Sequence, residues 1–435
     1  MMEMDPRKTI ESGPMTRFQW SVVAIMIGLI ALDGFDVLSI SFASPGIAAE
    51  WGIDRAALGL VLSMELIGMS VGSIVFGRLA DGYGRRTTIL ACLGVIALGM
   101  FGASTAGGVV SLSAWRVGTG LGLGGMLAAT NAATAEVANG RFRSLCVVMM
   151  AAGYPLGNVI GGSVAAQLLA MYDWRAIFQF GAIVAALFVP LVWFCAPESI
   201  EFLMHRRPAG ALAKVNRTLV RMGKPTIDAL PEVEVQREKA GLRTLMNGQH
   251  MVPTLALTFV YFAHIMTFYF ILKWIPKIVA DMGFEPSAAA GVLVWASVGG
   301  LLGSALLGLL TIRVRVFWLT VVAMAASSLM VIWFGQSQSD LASLSITAAA
   351  AGFATNAGVV GLYAVVAAAF PTALRASATG VVIGIGRGGS ALAPALAGFL
   401  FAAGYGLGTV ALLMALGSLA AALVLLLIVR HAIAT

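Results

Sequence analysis

Gly77-Arg78-Leu79-Ala80-Asp81-Gly82-Tyr83-Gly84-Arg85-Arg86-Thr87 is a polar, glycine-rich stretch between two apolar segments of helix length, 57–77 and 87–106. It concentrates charge in a chain of 435 residues that is 59% hydrophobic and only 11% charged. A soluble domain carries about 25% charged residues. The contrast indicates a short turn at a membrane surface, and a chain that crosses the membrane many times.

Apolar segments of about 20 residues, long enough to span a bilayer as a helix, recur along the whole chain. We predict twelve spans: 19–42, 57–77, 87–106, 108–132, 145–169, 176–196, 251–279, 286–310, 316–335, 341–369, 373–401 and 405–429. These segments are too long and too evenly apolar for the strands of a membrane barrel. The predicted fold class is therefore an all-α polytopic membrane protein.

Basic residues are distributed unevenly between the predicted loops. With the N-terminus in the cytoplasm, 21 of the 27 Lys and Arg residues fall on the cytoplasmic side. Those outside are Arg55, Arg175 and Lys277, and those within spans are Arg116, Lys273 and Arg387. This is the positive-inside pattern. It predicts two cytoplasmic termini and accounts for the net charge of +7 without a nucleic-acid partner.

One long polar segment divides the spans into six and six. The predicted organisation is a leader, a first bundle, a linker, a second bundle and a tail, with the bounds 1–18, 19–196, 197–250, 251–430 and 431–435. The halves look like an internal repeat, because a basic turn precedes a glycine-rich span at 136–143 and again at 370–375. Two pseudo-symmetric six-helix bundles suit a transporter with alternating access.

The opening stretch meets every fixed position of the loop 2–3 pattern of the major facilitator superfamily, G-x-L-A-D-x-x-G-R-R, at the location where that pattern occurs. The chain therefore resembles this superfamily. The resemblance implies a conformational latch on the cytoplasmic face, formed by Gly77, Asp81, Gly84, Arg85, Arg86 and Arg375. The alternative is a basic turn that only sets topology. The second copy expected in loop 8–9 is reduced to the basic charges of 308–315.

Asp33-Gly34-Phe35-Asp36 places two carboxylates in the middle of the first span. A charged carboxylate at the bilayer centre costs roughly 2.5–3.5 kcal/mol, and proton uptake relieves much of that penalty. The pair therefore predicts proton exchange or a polar ligand within the membrane. We expect Gly34 to leave room for a ligand ring beside this helix.

This motif, together with Phe370-Pro371-Thr372-Ala373-Leu374-Arg375 and Gly386-Arg387, resembles the aromatic acid:proton symporters of the superfamily over essentially the whole chain. The resemblance implies a secondary transporter, not an enzyme, that imports a benzoate-like or hydroxybenzoate-like acid by proton symport. It also implies a monomer in a bacterial-type inner membrane. The expected partners are the acid anion, protons and lipid. No cofactor or metal is expected, since the cysteines and histidines lack metal-site spacing.

The resemblance and the positions within spans give two further sets of candidate residues. The proton-coupling candidates are Asp33, Asp36, Arg116, Glu65 and Glu136. The substrate-binding candidates are Arg387, whose guanidinium fits a carboxylate, and Phe35, Tyr154, Asn158, Asn131, His264, Trp274, Tyr363 and Asn356.

Several of these residues also have a purely structural interpretation, and Tyr154 and Asn158 could bond between helices instead of lining a cavity. Arg116 and Lys273 could snorkel to an interface, and Lys273 could instead contact an outer gate. Glu65 and His264 could bond to neighbouring helices, and the aromatic residues could be packing groups.

Two other functions stay open at this point. A glycine-proline pattern in span 5, from Gly153 to Gly162, partly resembles that of antiporters and favours proton-driven export of small organic molecules. The degraded loop 8–9 and the polar linker are compatible with a membrane sensor that does not transport. Hydrolase and kinase motifs are absent from the sequence.

Overall fold

The computed structural model describes residues 5–231, 245–246, 248–336 and 340–429. The predicted tail, 431–435, part of the predicted linker and the side chain of Asp81 lie outside that description. None of the described residues forms a strand, so the predicted all-α class is confirmed.

Nine helices occupy the chain up to the end of the described linker. They are α1 (Pro6–Ser12), α2 (Arg17–Trp51), α3 (Arg55–Tyr83), α4 (Arg85–Ser104), α5 (Val109–Val137), α6 (Arg143–Met171), α7 (Arg175–Cys195), α8 (Ile200–Arg206) and α9 (Ala211–Arg221). After a 3₁₀ turn at Gly248–His250 come α10 (Met251–Asp281), α11 (Pro286–Leu310), α12 (Val316–Phe334), α13 (Leu341–Ala369), α14 (Thr372–Gly386), α15 (Gly388–Ala402) and α16 (Leu407–Val424).

Among the described residues, eleven helical stretches are long and apolar enough to cross a membrane, and α14 and α15 together supply one of them, Ser377–Ala402. The remaining predicted span, 108–132, corresponds to α5, which has 29 residues. This helix carries five glycines and the buried Arg116. The chain is thus a multi-pass membrane protein.

The chain folds as two compact units. The first comprises Met1–Val37, Gly68–Asn158 and Phe178–Gln236, and the second comprises Leu38–Ile67, Val159–Ile177 and Arg237–Thr435. Helices α2, α3, α6 and α7 therefore contribute residues to both units. One end of each belongs to the same unit as α10–α16, although these helices come from the other half of the sequence.

Corresponding helix pairs in the two halves pack in the same way, through two glycines four residues apart. In the first unit, Gly68 and Gly72 of α3 lie against backbone carbonyls of α5. In the second unit, Gly299 and Gly303 of α11 lie against backbone carbonyls of α13. Small residues four apart let two membrane helices approach at the backbone. The repeat inferred from the basic turns therefore recurs in the packing of spans 2 and 4 and of spans 8 and 10.

Gly34 has a different task from the one expected. A Cβ atom added to Gly34 would collide with the carbonyl oxygen of Tyr154 in α6, and one added to Gly157 would collide with the carbonyl oxygen of Ala31 in α2. The space beside Gly34 is thus filled by the backbone of α6. The expectation that it admits a ligand ring was wrong, because the sequence does not reveal which helix packs there.

Substituting Gly34 with alanine is expected to destabilise the protein by about 1–3 kcal/mol, the usual range for overpacking. The reason is that neither helix backbone can yield as a flexible side chain would. Gly94 of α4 is the matched control, because nothing described lies within 4 Å of its added Cβ. Gly94→Ala should stabilise slightly, since alanine is the better helix former. Thermal unfolding of both variants in detergent measures the difference, and equal midpoints would contradict the packing role.

Candidate transport site

The interior of the first unit holds a buried arginine beside the Asp33–Asp36 motif. Arg116 of α5 and Asp36 of α2 are both 0% exposed. Arg116 Nη2 donates a hydrogen bond of 2.9 Å to the carbonyl oxygen of Asp36, and Nη1 donates to Met100 Sδ of α4 at 3.1 Å. Its guanidinium lies 5.4 Å from the centre of the Phe178 ring. Arg116 is therefore an interior residue, and snorkelling does not describe it.

The Met100 methyl group occupies the space that α7 leaves open at Gly181, with Asp36 and Phe35 close to it. A Cβ atom at Gly181 would collide with Met100 Cε and would lie 3.1 Å from Asp36 Oδ1 and 3.2 Å from the Phe35 ring. Phe35 is 3% exposed and meets Phe180 edge-to-face, with ring centres 5.3 Å apart. Gly181 could not be singled out from the sequence, since only the packing of α7 against α2 and α4 shows what a side chain there would displace.

The other polar residues of this region come from α2 and α6. Asp33 is 2% exposed and lies within electrostatic range of the Cys92 thiol of α4. Asn158 is buried, and its Oδ1 lies 3.0 Å from the Cβ position of Gly34. Tyr154 is half-buried one helical turn earlier. The structure thus brings together five predicted site residues of the first unit, Asp33, Asp36, Arg116, Tyr154 and Asn158.

In the second unit, Arg387 stands at the break between α14 and α15. Its carbonyl accepts a 2.6 Å hydrogen bond from the Ser390 hydroxyl, and its charge acts on the Tyr261 phenol. The Tyr261 and Tyr363 hydroxyls are 3.3 Å apart. Gly386 makes room for this cluster, because its Cβ would lie 2.6 Å from Tyr261 Cδ1. A cation with two adjacent phenols is suited to an aromatic carboxylate.

Glu65 of α3 and Lys273 of α10 form a buried ion pair in the second unit. Lys273 Nζ lies 3.3 Å from Glu65 Oε2, and both side chains are 0% exposed. Lys273 therefore does not snorkel to an interface. The pair could not be recognised in the sequence, because its members are 208 residues apart and belong to different halves of the chain.

Three predicted substrate contacts already hydrogen-bond to other groups of the protein. His264 is fully buried, with Nδ1 at 2.8 Å from the Ser418 hydroxyl and Nε2 at 3.0 Å from the Thr355 carbonyl. Trp274 Nε1 donates to the Pro394 carbonyl at 3.1 Å. Asn356 Nδ2 donates to a carbonyl one turn earlier in α13, at 3.3 Å. The bonds of His264 match the structural alternative, in which this histidine bonds to neighbouring helices. Asn131, another predicted substrate contact, lies exposed on α5.

The predicted latch residues at the start of α4 contact two acidic residues. Arg85 Nε lies 3.5 Å from Glu136 Oε1 at the end of α5. The backbone amide of Arg86 donates to Glu198 Oε1 at 3.1 Å, and the Arg86 side chain donates to the Trp193 carbonyl. Glu136 therefore sits with the latch residues rather than with Asp33 and Asp36. Glu198 was missed, although an acid directly after a span was the available signal.

The remaining latch candidates are Gly84, Gly77 and Arg375. Gly84 has a φ of +99°, a conformation that favours glycine, and its Cβ position lies 2.5 Å from the Glu198 carboxylate. Gly77 has no described atom within 4 Å of its Cβ position. Arg375 is exposed at the start of α14.

Residues 25–311 match the family model described as Major Facilitator Superfamily. The chain is 29% identical over 428 residues to the gallate transporter of Pseudomonas putida, covering 97% of this chain and 94% of that protein. It is 28% identical over 394 residues to the 4-hydroxybenzoate transporter of Pseudomonas aeruginosa, covering 89% and 88%. It is 27% identical over 408 residues to the benzoate transport protein of Acinetobacter baylyi, covering 92% and 87%.

Among solved structures, the inward-open xylose transporter XylE from E. coli matches with a TM-score of 0.75, at 17% identity, over 94% of this chain and 96% of that one. At that identity the likeness shows the fold alone. The sequence relatives confirm the resemblance to aromatic acid transporters that the span-1 motif indicated. The chain belongs to the major facilitator superfamily, and it is a membrane transporter rather than an enzyme.

Proposed function

We propose that this transporter imports an aromatic carboxylate together with protons by alternating access. The observation that carries the proposal is the burial of Asp33, Asp36 and Arg116 side by side in the first unit. An arginine stays charged at any accessible pH, so the charge of this group changes only when an aspartate gains or loses a proton. Such a group can exchange protons within the membrane without any cofactor.

The proposed substrate class follows from the sequence relatives and from the second unit. The relatives named above are transporters of gallate, 4-hydroxybenzoate and benzoate. Arg387, beside the Tyr261 and Tyr363 phenols, supplies a cation and hydrogen-bonding groups for such an anion. Arg387 is therefore the proposed carboxylate anchor, and Asp33 and Asp36 are the proposed proton carriers.

The proposal also covers the membrane topology, the oligomeric state and the domain organisation. The charge distribution supports an inner-membrane location with both termini in the cytoplasm, and we propose a monomer with the six-plus-six division at the linker 197–250. Export is less well supported than import. Gly153 and Gly157 of the span-5 pattern lie against backbone carbonyls of α2, so helix packing accounts for these two glycines without an antiport role.

Uptake into proteoliposomes tests this function. The assay places 4-hydroxybenzoate outside and makes the lumen one pH unit more alkaline. Symport of one proton with one monoanion moves no net charge. The pH difference alone should then drive about tenfold accumulation, since 1.4 kcal/mol corresponds to a factor of ten. A protonophore should abolish accumulation. Protein-free liposomes correct for passive entry of the neutral acid. Uptake that the protonophore does not reduce, or net efflux of substrate under the inside-alkaline pH gradient, would overturn proton-coupled import.

A further inference from the structure

An aromatic-lined cavity lies within the second unit, and Trp274 alone among the candidate residues named above lines it. Its volume is about 200 Å³, and it is bounded by α3, α10, α15 and the turn that follows α15. Its walls include Arg55, Trp274, Asp281, Phe401 and Tyr405. The topology proposed above places this cavity at the outer mouth of the transporter.

The aromatic side chains of the cavity wall differ in how deeply they are buried. Trp274 is 1% exposed at its base, and its ring centre lies 5.0 Å from that of Phe401. Phe401 is 7% exposed, whereas Tyr405 at the rim is 49% exposed. An apolar, aromatic wall with a few polar groups is the usual composition of a small-molecule site.

Arg55 at the cavity wall shares its carboxylate partner with a second cation. Arg55 Nη2 lies 2.9 Å from Asp281 Oδ2, with 45% of the arginine side chain exposed. Lys277 also contacts Asp281. Two cations thus share one carboxylate. The Arg55 guanidinium lies over the Phe401 ring at 5.4 Å, which places the cation next to an aromatic surface.

The other outer arginine is differently arranged. Arg175 binds both oxygens of Glu50, each at 2.7 Å, so its charge is matched by a carboxylate of its own. Arg55 instead shares the Asp281 carboxylate with Lys277, which does not itself line the cavity. The shared Arg55 and the aromatic walls occur together in this cavity.

We infer that this cavity is an outer capture site for aromatic carboxylates, in which Arg55 binds the carboxylate and Phe401 and Tyr405 contact the ring. The inference rests on the proposed function for its ligand class, but it concerns a site that none of the predicted residues except Trp274 touches. A carboxylate at Arg55 would compete with Asp281. Since Arg55 begins α3 and Asp281 ends α10, capture would weaken the tie between these two helices.

Cysteine protection tests the site without requiring transport. Met282 lines the cavity and is 36% exposed, so Met282→Cys in a Cys195→Ser background of the full chain reports on it. Cys92 and Cys146 are buried. Benzoate should slow modification of Met282→Cys by a charged methanethiosulfonate severalfold. Tyr172→Cys, which is outside the cavity and 63% exposed in the native chain, should react at the same rate with and without benzoate.

Matched variants and ligands separate capture from other effects. Arg55→Gln should raise the half-protecting benzoate concentration roughly tenfold, as expected for losing a charge-assisted hydrogen bond, whereas Arg175→Gln should not. Benzyl alcohol lacks the carboxylate and acetate lacks the ring, so neither should protect. Protection should persist in Arg387→Gln, because the proposed anchor there belongs to another site.

The outcomes distinguish this inference from the proposed function. Protection at Met282→Cys without any proton-driven uptake by the unmodified protein would sink the proposed function and leave the capture site standing. Uptake without protection, protection that survives Arg55→Gln, or protection lost in Arg387→Gln would overturn the capture site.

Discussion

Asp36→Asn is expected to abolish proton-driven accumulation of 4-hydroxybenzoate while leaving exchange of internal for external substrate. In proteoliposomes with a one-unit inside-alkaline gradient, the accumulation ratio should fall from about ten to about one. The reason is that asparagine keeps the shape of the side chain but cannot carry a proton. Exchange moves no net protons, so it does not require that step.

The surroundings of Asp36 make this loss specific to coupling. The side chain is fully buried, and its neighbour Arg116 bonds to the Asp36 backbone carbonyl, which the substitution retains. Asp173→Asn is the matched control, because Asp173 is an exposed acid after α6, and it should accumulate substrate as the unmodified protein does. Unchanged accumulation by Asp36→Asn would remove Asp36 from the proton pathway.

Asp33→Asn should be measured in the same assay. Two carboxylates three residues apart on one helix can titrate as a pair, in which case the proton belongs to neither residue alone. Loss of accumulation in both single variants would indicate such a pair, and loss in one would assign the proton.

Lys273→Met is expected to destabilise the protein by about 3–5 kcal/mol, because it leaves the Glu65 carboxylate without its partner in a fully buried position. Glu65→Leu alone should destabilise the protein by a comparable amount. The double variant Glu65→Leu with Lys273→Met should recover most of the loss, since replacing both members of a buried pair by apolar groups is often close to neutral. Thermal unfolding in detergent measures all three.

The Arg55–Asp281 pair provides the control for this experiment. It links the same two helices, α3 and α10, but its members are 45% and 27% exposed. Arg55→Gln should therefore change stability by no more than about 1 kcal/mol. Single variants of Glu65 and Lys273 that unfold like the unmodified protein would show that the pair is not charged in the folded state.

The two pairs also bear on how the transporter moves. Glu65 follows Arg55 by ten residues in α3, a distance of roughly 15 Å along the helix axis. Any state in which α3 parts from α10 must find other partners for Arg55 near the surface and for Lys273 in the interior.

The sequence by itself determined the fold class, the membrane setting and the family. Helix-length apolar segments specify spans because lipid offers the backbone no hydrogen-bond partners. The stretch Gly77–Thr87 and the motif around Asp33 and Asp36 occur at fixed places in that order of spans, so pattern and position agreed. The candidates Asp33, Asp36 and Arg116 were recognisable because charged residues inside a span are rare.

Only the tertiary structure decided which of these residues meet. The members of each pair, Glu65 with Lys273, Arg55 with Asp281 and Arg86 with Glu198, come from distant parts of the chain and could not be joined from the sequence. The tertiary structure also showed that Gly34 admits the α6 backbone, that Gly181 makes room for Met100 beside Asp36, and that His264 is bonded to Ser418 and Thr355. The physical reason is that apolar spans look alike in composition, whereas their facing is set by close packing between helices far apart in sequence.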